Sequence, residues 1–364
     1  MFNNIYKNKK VLVTGHTGFK GSWLALWLQS MGATVTGIAL PPVTSPAHWD
    51  LLKLDMQSFY LDVRNIAQLK KIITQAQPDI VFHLAAQPLV RHSYENPLET
   101  WSTNVMGTAN VLDCCRQVES IAAIVVVTSD KCYENKEWPW GYREVDELGG
   151  HDPYSASKAG SELVVSSYRK SFFNRESGPL LASARAGNVI GGGDWSNDRL
   201  VPDLARSVVD GISLEIRSPN ATRPWQHVLE CLSGYLVLGQ NLLERHQRCD
   251  EAWNFGPAKE SNHKVSEVLK QLKSQWPEIN WHYAASTQSH AYESQLLHLD
   301  SSKANDRLSW APVWTFEEGV NAAAQWYKAW LDGRSLISTQ QLASYIARAE
   351  ERKMTWALET VYAD

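Results

Sequence analysis

At 364 residues the chain is long enough for one large domain or two closely packed domains. Its 39 acidic residues outnumber its 35 basic ones, and the basic residues form no block, which excludes a nucleic-acid-binding protein held by phosphate contacts. The five cysteines lack Cys-x-x-Cys spacing, and no apolar run approaches the roughly 20 residues of a membrane span, so we expect a reduced, cytoplasmic protein without a structural metal or membrane association.

Short apolar, β-rich runs alternate with helical stretches through the first half of the chain. Their hydrophobicity is continuous, which is typical of strands buried on both faces of a parallel sheet. The predicted strands are Val11–Thr14, Thr34–Ala39, Phe59–Leu61, Ile80–Leu84, Ile124–Thr128 and Leu181–Ala184. The predicted helices are Trp23–Gly32, Ile66–Gln75, Thr103–Val118 and Tyr154–Phe173. This order predicts a doubly wound α/β fold of the Rossmann type.

After Arg185 the pattern loosens into loops rich in glycine and proline, as expected of a smaller region that covers a ligand. One further core strand is predicted at Ala252–Phe255. The predicted division is 1–186 plus about 224–258 for a dinucleotide-binding domain, about 187–223 and 259–334 for a discontinuous substrate domain, and 335–364 for a C-terminal helical extension. That extension would be either an appended helix or an oligomer contact.

A glycine-rich turn, GHTGFKG at 15–21, follows the first strand directly and opens the next helix. Glycines here permit a tight turn and close approach of the backbone to a pyrophosphate, and the helix N-terminus favours the anion. The strand–turn–helix context makes Gly15, Gly18, Phe19 and Gly21 candidate contacts for a dinucleotide. The spacing GxxGxxG is typical of short-chain dehydrogenases.

Further candidate cofactor contacts follow the next strands of the sheet. Asp62 and Val63 end the third strand, where a carboxylate would accept from the exocyclic amine of adenine; a turn-forming aspartate is the alternative. Leu84 and Ala86, after the fourth strand, and Asn104, in the following helix, complete the set. The second strand ends without the usual acid for the ribose hydroxyls and without a base for a 2′-phosphate. We therefore expect NAD rather than NADP, weakly anchored at its adenosine and exchangeable.

Tyr154 and Lys158 lie four residues apart in a predicted helix and therefore share one face of it. An ammonium beside a phenol favours the phenolate and lowers the pKa of Tyr154, which would make it a base near neutral pH. Ser129 ends the fifth strand, at the edge of the sheet where this helix begins. These residues predict a centre that oxidises a hydroxyl beside the cofactor, which Tyr154 and Lys158 would also contact.

The motifs together resemble those of extended short-chain dehydrogenase/reductases and, within them, nucleotide-sugar 4,6-dehydratases. The segments that carry the resemblance are SDK at 129–131, QPLVR at 87–91, RPWQHV at 223–228 and LDSSKA at 299–304. In the family the first of these is Thr-Asp-Glu, so the acid is kept and a lysine replaces the glutamate. This replacement resembles the branch that acts on CDP-glucose, and the similarity runs from about Lys10 to Trp330.

The resemblance implies a stepwise reaction in which NAD is regenerated and the product is a 4-keto-6-deoxy sugar for surface-polysaccharide (O-antigen) synthesis. Tyr154 would remove the proton of the sugar 4-hydroxyl, and Ser129 would hydrogen-bond the 4-oxygen. Asp130 would protonate the departing 6-hydroxyl. Lys131 would remove the C5 proton as a neutral amine, a form favoured by burial and by neighbouring cations such as Lys158. The alternative is a charged Lys131 that stabilises the enolate while Asp130 moves the protons.

Substrate contacts are expected mainly in the loop-rich half. The candidates are Gln87, Asn188, Arg199, Arg217, Arg223, His227, Tyr292 and Glu293. Bidentate guanidinium groups would suit a nucleotide diphosphate, and ordinary solvated arginines are the alternative. Asn188 resembles the substrate asparagine of the family, and His227 is either a ligand or a packing residue. Tyr292 and Glu293 stand where many relatives carry a substrate-binding arginine, so this chain must contact the substrate differently at that position.

Other readings of the same motifs remain open. A nucleotide-sugar 4-epimerase would share Tyr154, Lys158 and the glycine turn, but needs no acid to expel a 6-hydroxyl, so Asp130 disfavours it. NAD-sensing relatives generally lose the tyrosine–lysine pair. The helices at 103–118 and 154–173 match those that form a four-helix dimer interface in the superfamily, so a homodimer or homotetramer is expected.

Overall fold

The computed structural model describes residues 1–173, 178–258, 262–284 and 296–358. The strands are β1 Lys10–Thr14, β2 Thr34–Ala39, β3 Gln57–Tyr60, β4 Ile80–His83, β5 Ala123–Val127, β6 Leu180–Arg185, β7 Val189–Ile190, β8 Leu214–Ile216, β9 Thr222–Pro224, β10 Gln226–His227, β11 Ala252–Asn254, β12 Asn262–Lys264 and β13 Trp281–Tyr283. The helices are α1 Phe19–Ser30, α2 His48–Leu52, α3 Ile66–Ala76, α4 Val90–Glu95, α5 Pro97–Trp101, α6 Gly107–Cys115, α7 Pro153–Ser171, α8 Leu200–Asp210, α9 Val228–Leu243, α10 Val265–Gln275, α11 Ser302–Leu308, α12 Phe316–Gly333 and α13 Ser338–Glu351.

Seven strands form one parallel sheet in the order β3-β2-β1-β4-β5-β6-β11. β4 and β5 are buried along their whole length, which explains their continuous apolar sequences. The strand order reverses between β1 and β4, and in sheets of this kind ligands bind at the carboxyl ends of the strands beside such a reversal. The predicted Rossmann-type sheet is confirmed.

Helices cover both faces of the sheet. On one face α1 and α9 share a large apolar core, in which Trp23 and Trp27 of α1 are fully buried. On the other face α3, α6 and α7 share a second core. The predicted helix at 103–118 is divided, because a π-helical turn at Ser102–Met106 precedes α6. No helix in the described ranges is long and apolar enough to cross a membrane.

Among the described residues, three pairs of short strands lie outside the large sheet: β7 with β10, β8 with β13, and β9 with β12. The last two pairs join residues 214–224 to residues 262–283, the two stretches that the sequence assigns to the substrate domain. The boundaries of that domain stay a prediction.

The C-terminal helix α13 packs into the core on the α1 and α9 face. Tyr345 is fully buried, and its hydroxyl donates to Glu230 Oε2 at 2.7 Å. Beyond the helix, the Trp356 ring stacks on Phe2 with ring centroids 5.0 Å apart. The described part of the extension is therefore part of the main core.

Candidate active site

The glycine turn leaves no room for side chains where the chain passes from β1 to α1. Gly15 has a φ of +77°, and a Cβ there would lie 2.7 Å from Ala85 N. A Cβ on Gly21 would lie 2.1 Å from Gly15 O. Gly18 is the N-cap of α1, with no side-chain cap on the first N–H groups, and Phe19 begins the helix. A close backbone and an uncapped helix N-terminus fit the pyrophosphate of a dinucleotide.

The residues around Asp62 form what we call the adenosine end of the site. Arg64 Nη2 lies 2.6 Å from Asp62 Oδ2, so an arginine engages the carboxylate expected to meet adenine. At the end of β2, the His16 ring is buried against Gly37, where a Cβ would lie 2.4 Å from it, and bonds Ser58 Oγ at 2.7 Å. Burial lowers the pKa of His16 to about 4, so this ring is neutral. Sequence analysis missed His16, although it lies within the glycine turn.

The other predicted cofactor positions differ in their burial. Leu84 and Ala86 are half-buried just past the end of β4. Val63 is buried in the core beneath α6, so its side chain contributes packing. Asn104 lies in the π-helical turn; its Oδ1 accepts from Gln87 N at 2.8 Å and its Nδ2 donates to Ser157 Oγ at 2.8 Å. Asn104 therefore ties the loop after β4 to α7, one residue before the predicted catalytic lysine.

Tyr154 and Lys158 lie in the first turns of α7 and are 8% and 6% exposed. Burial raises the pKa of Tyr154 to about 12, while a hydrogen bond with Ser129 and the charge of Arg199 lower it by less. Burial and the nearby ammonium of Lys20 lower the pKa of Lys158 to about 8. The expectation that the lysine brings the tyrosine pKa down is wrong for the protein chain by itself, because desolvation of the phenolate outweighs the nearby charges.

The residues after β5 form a tight 3-10 turn at Asp130–Cys132, capped by Ser129. Ser129 Oγ accepts from Lys131 N at 3.2 Å and donates to Asp130 Oδ1 at 2.9 Å. Asp130 is 2% exposed, and its Oδ2 has no hydrogen-bond partner among the described residues. Lys131 is half-buried. One carboxylate oxygen is thus fixed by a hydrogen bond, and the other is buried without one among the described residues.

The predicted diphosphate arginines differ in their surroundings. Arg199 Nη1 lies 2.8 Å from the buried carboxylate of Asp194, and its charge acts on Tyr154, so it lies near the reaction centre. Arg217 Nη2 lies 3.9 Å from Asp198. Arg223 Nη1 donates to the carbonyl of the preceding residue at 2.8 Å. Sequence analysis missed Asp194, which holds Arg199 in place.

Of the remaining substrate candidates, Asn188 lies near the 3-10 turn at Asp130–Cys132, whereas His227 is buried at the start of α9. Asn188 has a left-handed backbone with φ of 44° and follows Gly187, which packs directly against Asp130. His227 is 1% exposed, and its Nδ1 accepts from Leu229 N at 3.3 Å as the cap of α9. This burial favours packing over ligand binding for His227. Tyr292 and Glu293 lie outside the described residues.

The LDSSKA segment at 299–304 has a structural role in the described fold. Lys303 Nζ lies 2.6 Å from Glu251 and 4.3 Å from the centre of the Trp253 ring. Asn254 Nδ2 donates to the Asp300 carbonyl at 3.0 Å. The segment therefore anchors α11 to β11, at the edge of the central sheet.

Comparison with known proteins gives the family. The sequence profile of the family described as GDP-mannose 4,6 dehydratase matches residues 12–323. A curated CDP-glucose 4,6-dehydratase from Salmonella typhimurium is 47% identical over 353 residues, which cover 94% of this chain and 98% of the relative.

Solved structures show the same fold. An epimerase, Mth375, from Methanothermobacter thermautotrophicus superposes with a TM-score of 0.80 at 24% identity over 91% of this chain and 95% of its own. A UDP-glucose 4-epimerase from Thermus thermophilus in complex with NAD superposes with a TM-score of 0.75 at 22% identity, over 87% and 98%. The predicted resemblance to nucleotide-sugar 4,6-dehydratases is confirmed, and the chain belongs to the GDP-mannose 4,6-dehydratase family.

Proposed function

We propose that this protein is an NAD-dependent hydro-lyase that converts CDP-glucose to CDP-4-keto-6-deoxyglucose and water. The observation that carries the proposal is the buried Asp130 carboxylate, whose Oδ2 has no hydrogen-bond partner among the described residues, in the turn whose Ser129 lowers the pKa of Tyr154. An alcohol oxidation needs only the tyrosine and lysine, whereas expulsion of a hydroxyl also needs an acid. The site supplies both functions.

The first step is removal of the 4-hydroxyl proton by Tyr154. Burial raises the pKa of Tyr154, and Ser129 and Arg199 partly offset that rise. The chemistry that NAD supplies at this site is acceptance of hydride from C4 and its return to C6.

The second step is elimination across C5 and C6. Asp130 donates a proton from Oδ2 to the departing 6-hydroxyl, while Ser129 holds Oδ1 at 2.9 Å. Lys131 follows it in the turn and removes the C5 proton, which returns to C5 after the water has left. Both residues lie on one 3-10 turn, which fixes their backbone positions relative to each other.

The choice of CDP-glucose is supported by the relative of that name, at 47% identity. Arg199 is the cation best placed for the diphosphate, because Asp194 orients it near the reaction centre. The product would serve synthesis of deoxysugars for surface polysaccharide. All five cysteines are free and buried, which supports a reduced, cytoplasmic location.

A homodimer is part of the proposal. Four apolar side chains on α5, the π-helical turn and α7 are exposed: Leu98 by 83%, Trp101 by 41%, Met106 by 57% and Leu163 by 62%. Exposed apolar residues clustered in this way mark interaction surfaces. A Leu163→Glu variant should therefore shift the protein to a smaller species in analytical ultracentrifugation; an unchanged sedimentation coefficient would refute this interface.

The experiment that tests the activity is incubation of the purified protein and NAD⁺ with CDP-, dTDP-, GDP- and UDP-glucose, followed by mass spectrometry. Loss of one water from CDP-glucose alone is the expected result. Loss from another nucleotide sugar would keep the reaction and reject the CDP assignment. An unchanged mass with inverted C4 stereochemistry by NMR would instead identify a 4-epimerase.

A further inference from the structure

A buried ion pair, Glu162 with Arg185, lies one helical turn after Lys158 and takes no part in the steps above. Glu162 lies four residues after Lys158 and eight after Tyr154, so all three share one face of α7. Its Oε2 accepts from Arg185 Nη2 at 2.8 Å, and both side chains are 4% exposed. Arg185 is the last residue of β6. The pair therefore joins the helix of the tyrosine–lysine pair to the central sheet.

The same ion pair contacts a residue on each side of the Ser129–Lys131 segment. Before the segment, Thr128 Oγ1 donates to Glu162 Oε1. After the segment, Arg185 Nη1 donates to the Tyr133 hydroxyl at 2.7 Å, and that hydroxyl donates to Asn254 Oδ1 at 2.8 Å. The proposed acid and base of the elimination thus lie between two residues that one ion pair holds.

Glu162 acts here as a fixed charge. Burial by itself would raise the pKa of Glu162, but the Arg185 charge and hydrogen bonds from Arg185, Thr128 and Ser183 hold it below its ordinary value. All three donors reach a carboxylate that stays ionised, so it can only accept hydrogen bonds. An ionised, fully engaged carboxylate can position neighbouring groups but has no proton to give to a substrate.

We propose that Glu162 and Arg185 are positioning residues that fix the Ser129–Lys131 segment relative to Tyr154 and Lys158 on α7. Elimination can then follow oxidation without movement of the segment or of the helix. The proposal rests on the dehydratase function proposed above. A misplacement of about 1 Å costs roughly a hundredfold in rate when it separates reacting groups. Asp130 and Lys131 lie within the segment, whereas Tyr154 and Lys158 lie on α7 and the oxidation depends on the segment only through Ser129. Loosening one end of the segment should therefore slow the elimination more than the oxidation.

Removal of Glu162 or Arg185 would leave an unpaired buried charge, which destabilises the fold whatever its role. The informative variants remove one hydroxyl each and keep the ion pair: Thr128→Val at one end of the segment and Tyr133→Phe at the other. Ser183→Ala is the matched control, because Ser183 Oγ also donates to Glu162 Oε2, at 2.7 Å, but from within β6 and away from the segment. Thr128→Ser restores the hydroxyl.

The variants are compared with CDP-glucose in steady-state reactions, which give kcat and KM, and in single-turnover reactions of the NAD-loaded protein, which show the reduced nicotinamide. We expect Thr128→Val and Tyr133→Phe to lower kcat about tenfold, to leave KM within twofold and to accumulate reduced nicotinamide, seen by its absorbance. Ser183→Ala and Thr128→Ser should match the wild type. An equal loss in Ser183→Ala, or a loss without accumulation of reduced nicotinamide, would overturn the positioning role.

A second measurement needs no substrate. Amide hydrogen exchange across residues 129–132 should be faster in Thr128→Val and Tyr133→Phe than in Ser183→Ala. Unchanged exchange in these variants would refute the proposal even if the wild type dehydrates CDP-glucose. If the wild type does not dehydrate CDP-glucose, the proposed function fails, whereas the exchange result still tests the contact of the ion pair with the segment.

Discussion

The two ends of the dinucleotide site are built differently. At the adenosine end, Asp62 and Arg64 are 27% and 37% exposed in their side chains, and the nearby His16 ring is neutral. At the other end, which we call the nicotinamide end, Tyr154 and Asp130 are 8% and 2% exposed, and Ser129 donates to Asp130 and lowers the pKa of Tyr154. An exposed ion pair contributes little free energy, whereas a buried polar network is fixed in geometry.

This difference separates two tasks. The nicotinamide end must hold reacting groups within tenths of an ångström, so its residues are buried and joined by hydrogen bonds. The adenosine end contributes binding energy and contacts no reacting atom. Substitutions at the nicotinamide end should therefore change the chemistry, and substitutions at the adenosine end should change affinity.

The largest effect is expected from Tyr154→Phe. Without the phenol, no group on α7 can take the proton of the 4-hydroxyl, and reduction of the cofactor by CDP-glucose should fall by about a thousandfold or more. Tyr168→Phe, farther along the same helix, is the control and should react normally. Stopped-flow absorbance of reduced nicotinamide measures the step, and near-normal reduction in Tyr154→Phe would contradict the assignment.

A large effect is also expected from Gly187→Ala. The added Cβ would lie 1.8 Å from Asp130 Oδ2, so the carboxylate must move out of its position. We expect a loss of roughly a hundredfold in dehydration with little change in the affinity for NAD. Gly333→Ala is the control, because its Cβ would meet only Ser335 Oγ at 3.6 Å. Equal activity of the two variants would contradict the role of Asp130.

A smaller effect concerns Lys158 and pH. In the folded chain its pKa is lowered to about 8 by burial and by Lys20, against 10.5 ordinarily. Between these values the unfolded chain binds a proton that the folded chain does not, so the stability contribution of Lys158 rises with pH through this window. Between about pH 8 and pH 9.5, the free energy of unfolding of the wild type should rise by about 2 kcal/mol more than that of Lys158→Met.

Urea denaturation at each pH measures this difference. Lys170→Met, at the exposed end of the same helix, is the control and should follow the wild type. A Lys158→Met curve parallel to that of the wild type would show that the ammonium is not desolvated as described.

The smallest effect is expected at the adenosine end. Asp62→Ala removes one partly exposed hydrogen-bond acceptor, worth about 1 kcal/mol, so the Kd for NAD should rise about fivefold while kcat at saturating NAD stays unchanged. Asp113→Ala is a matched control, because Asp113 pairs with Arg116 at 2.6 Å on α6 in the same manner. A lower kcat in Asp62→Ala would contradict the claim that the adenosine end affects only the affinity for NAD.

Local sequence patterns predicted the parts of the site that depend on short spacing. The glycine turn needs one strand, one turn and one helix, and Tyr154 and Lys158 need only the helical period. The parallel sheet followed in the same way from continuous apolar runs. Each of these features is determined by neighbours along the chain.

Features that depend on tertiary burial were not predictable in this way. The raised pKa of Tyr154 results from desolvation, which no spacing reveals. Glu162 could be placed on the helix face of Lys158, but its partner Arg185 lies 23 residues away on a strand. The packing of α13 against Glu230 joins residues 115 positions apart, so the extension was left open between an appendage and an oligomer contact.

The most direct test of the central claim is a single turnover of Asp130→Asn, loaded with NAD, on CDP-glucose. We expect C4 oxidation to proceed and reduced nicotinamide to accumulate, while loss of water by mass spectrometry slows at least about a hundredfold, because an amide cannot protonate the departing hydroxyl. Loss of water at the wild-type rate would contradict the assignment of Asp130 as the acid, and with it the observation that carries the proposed function.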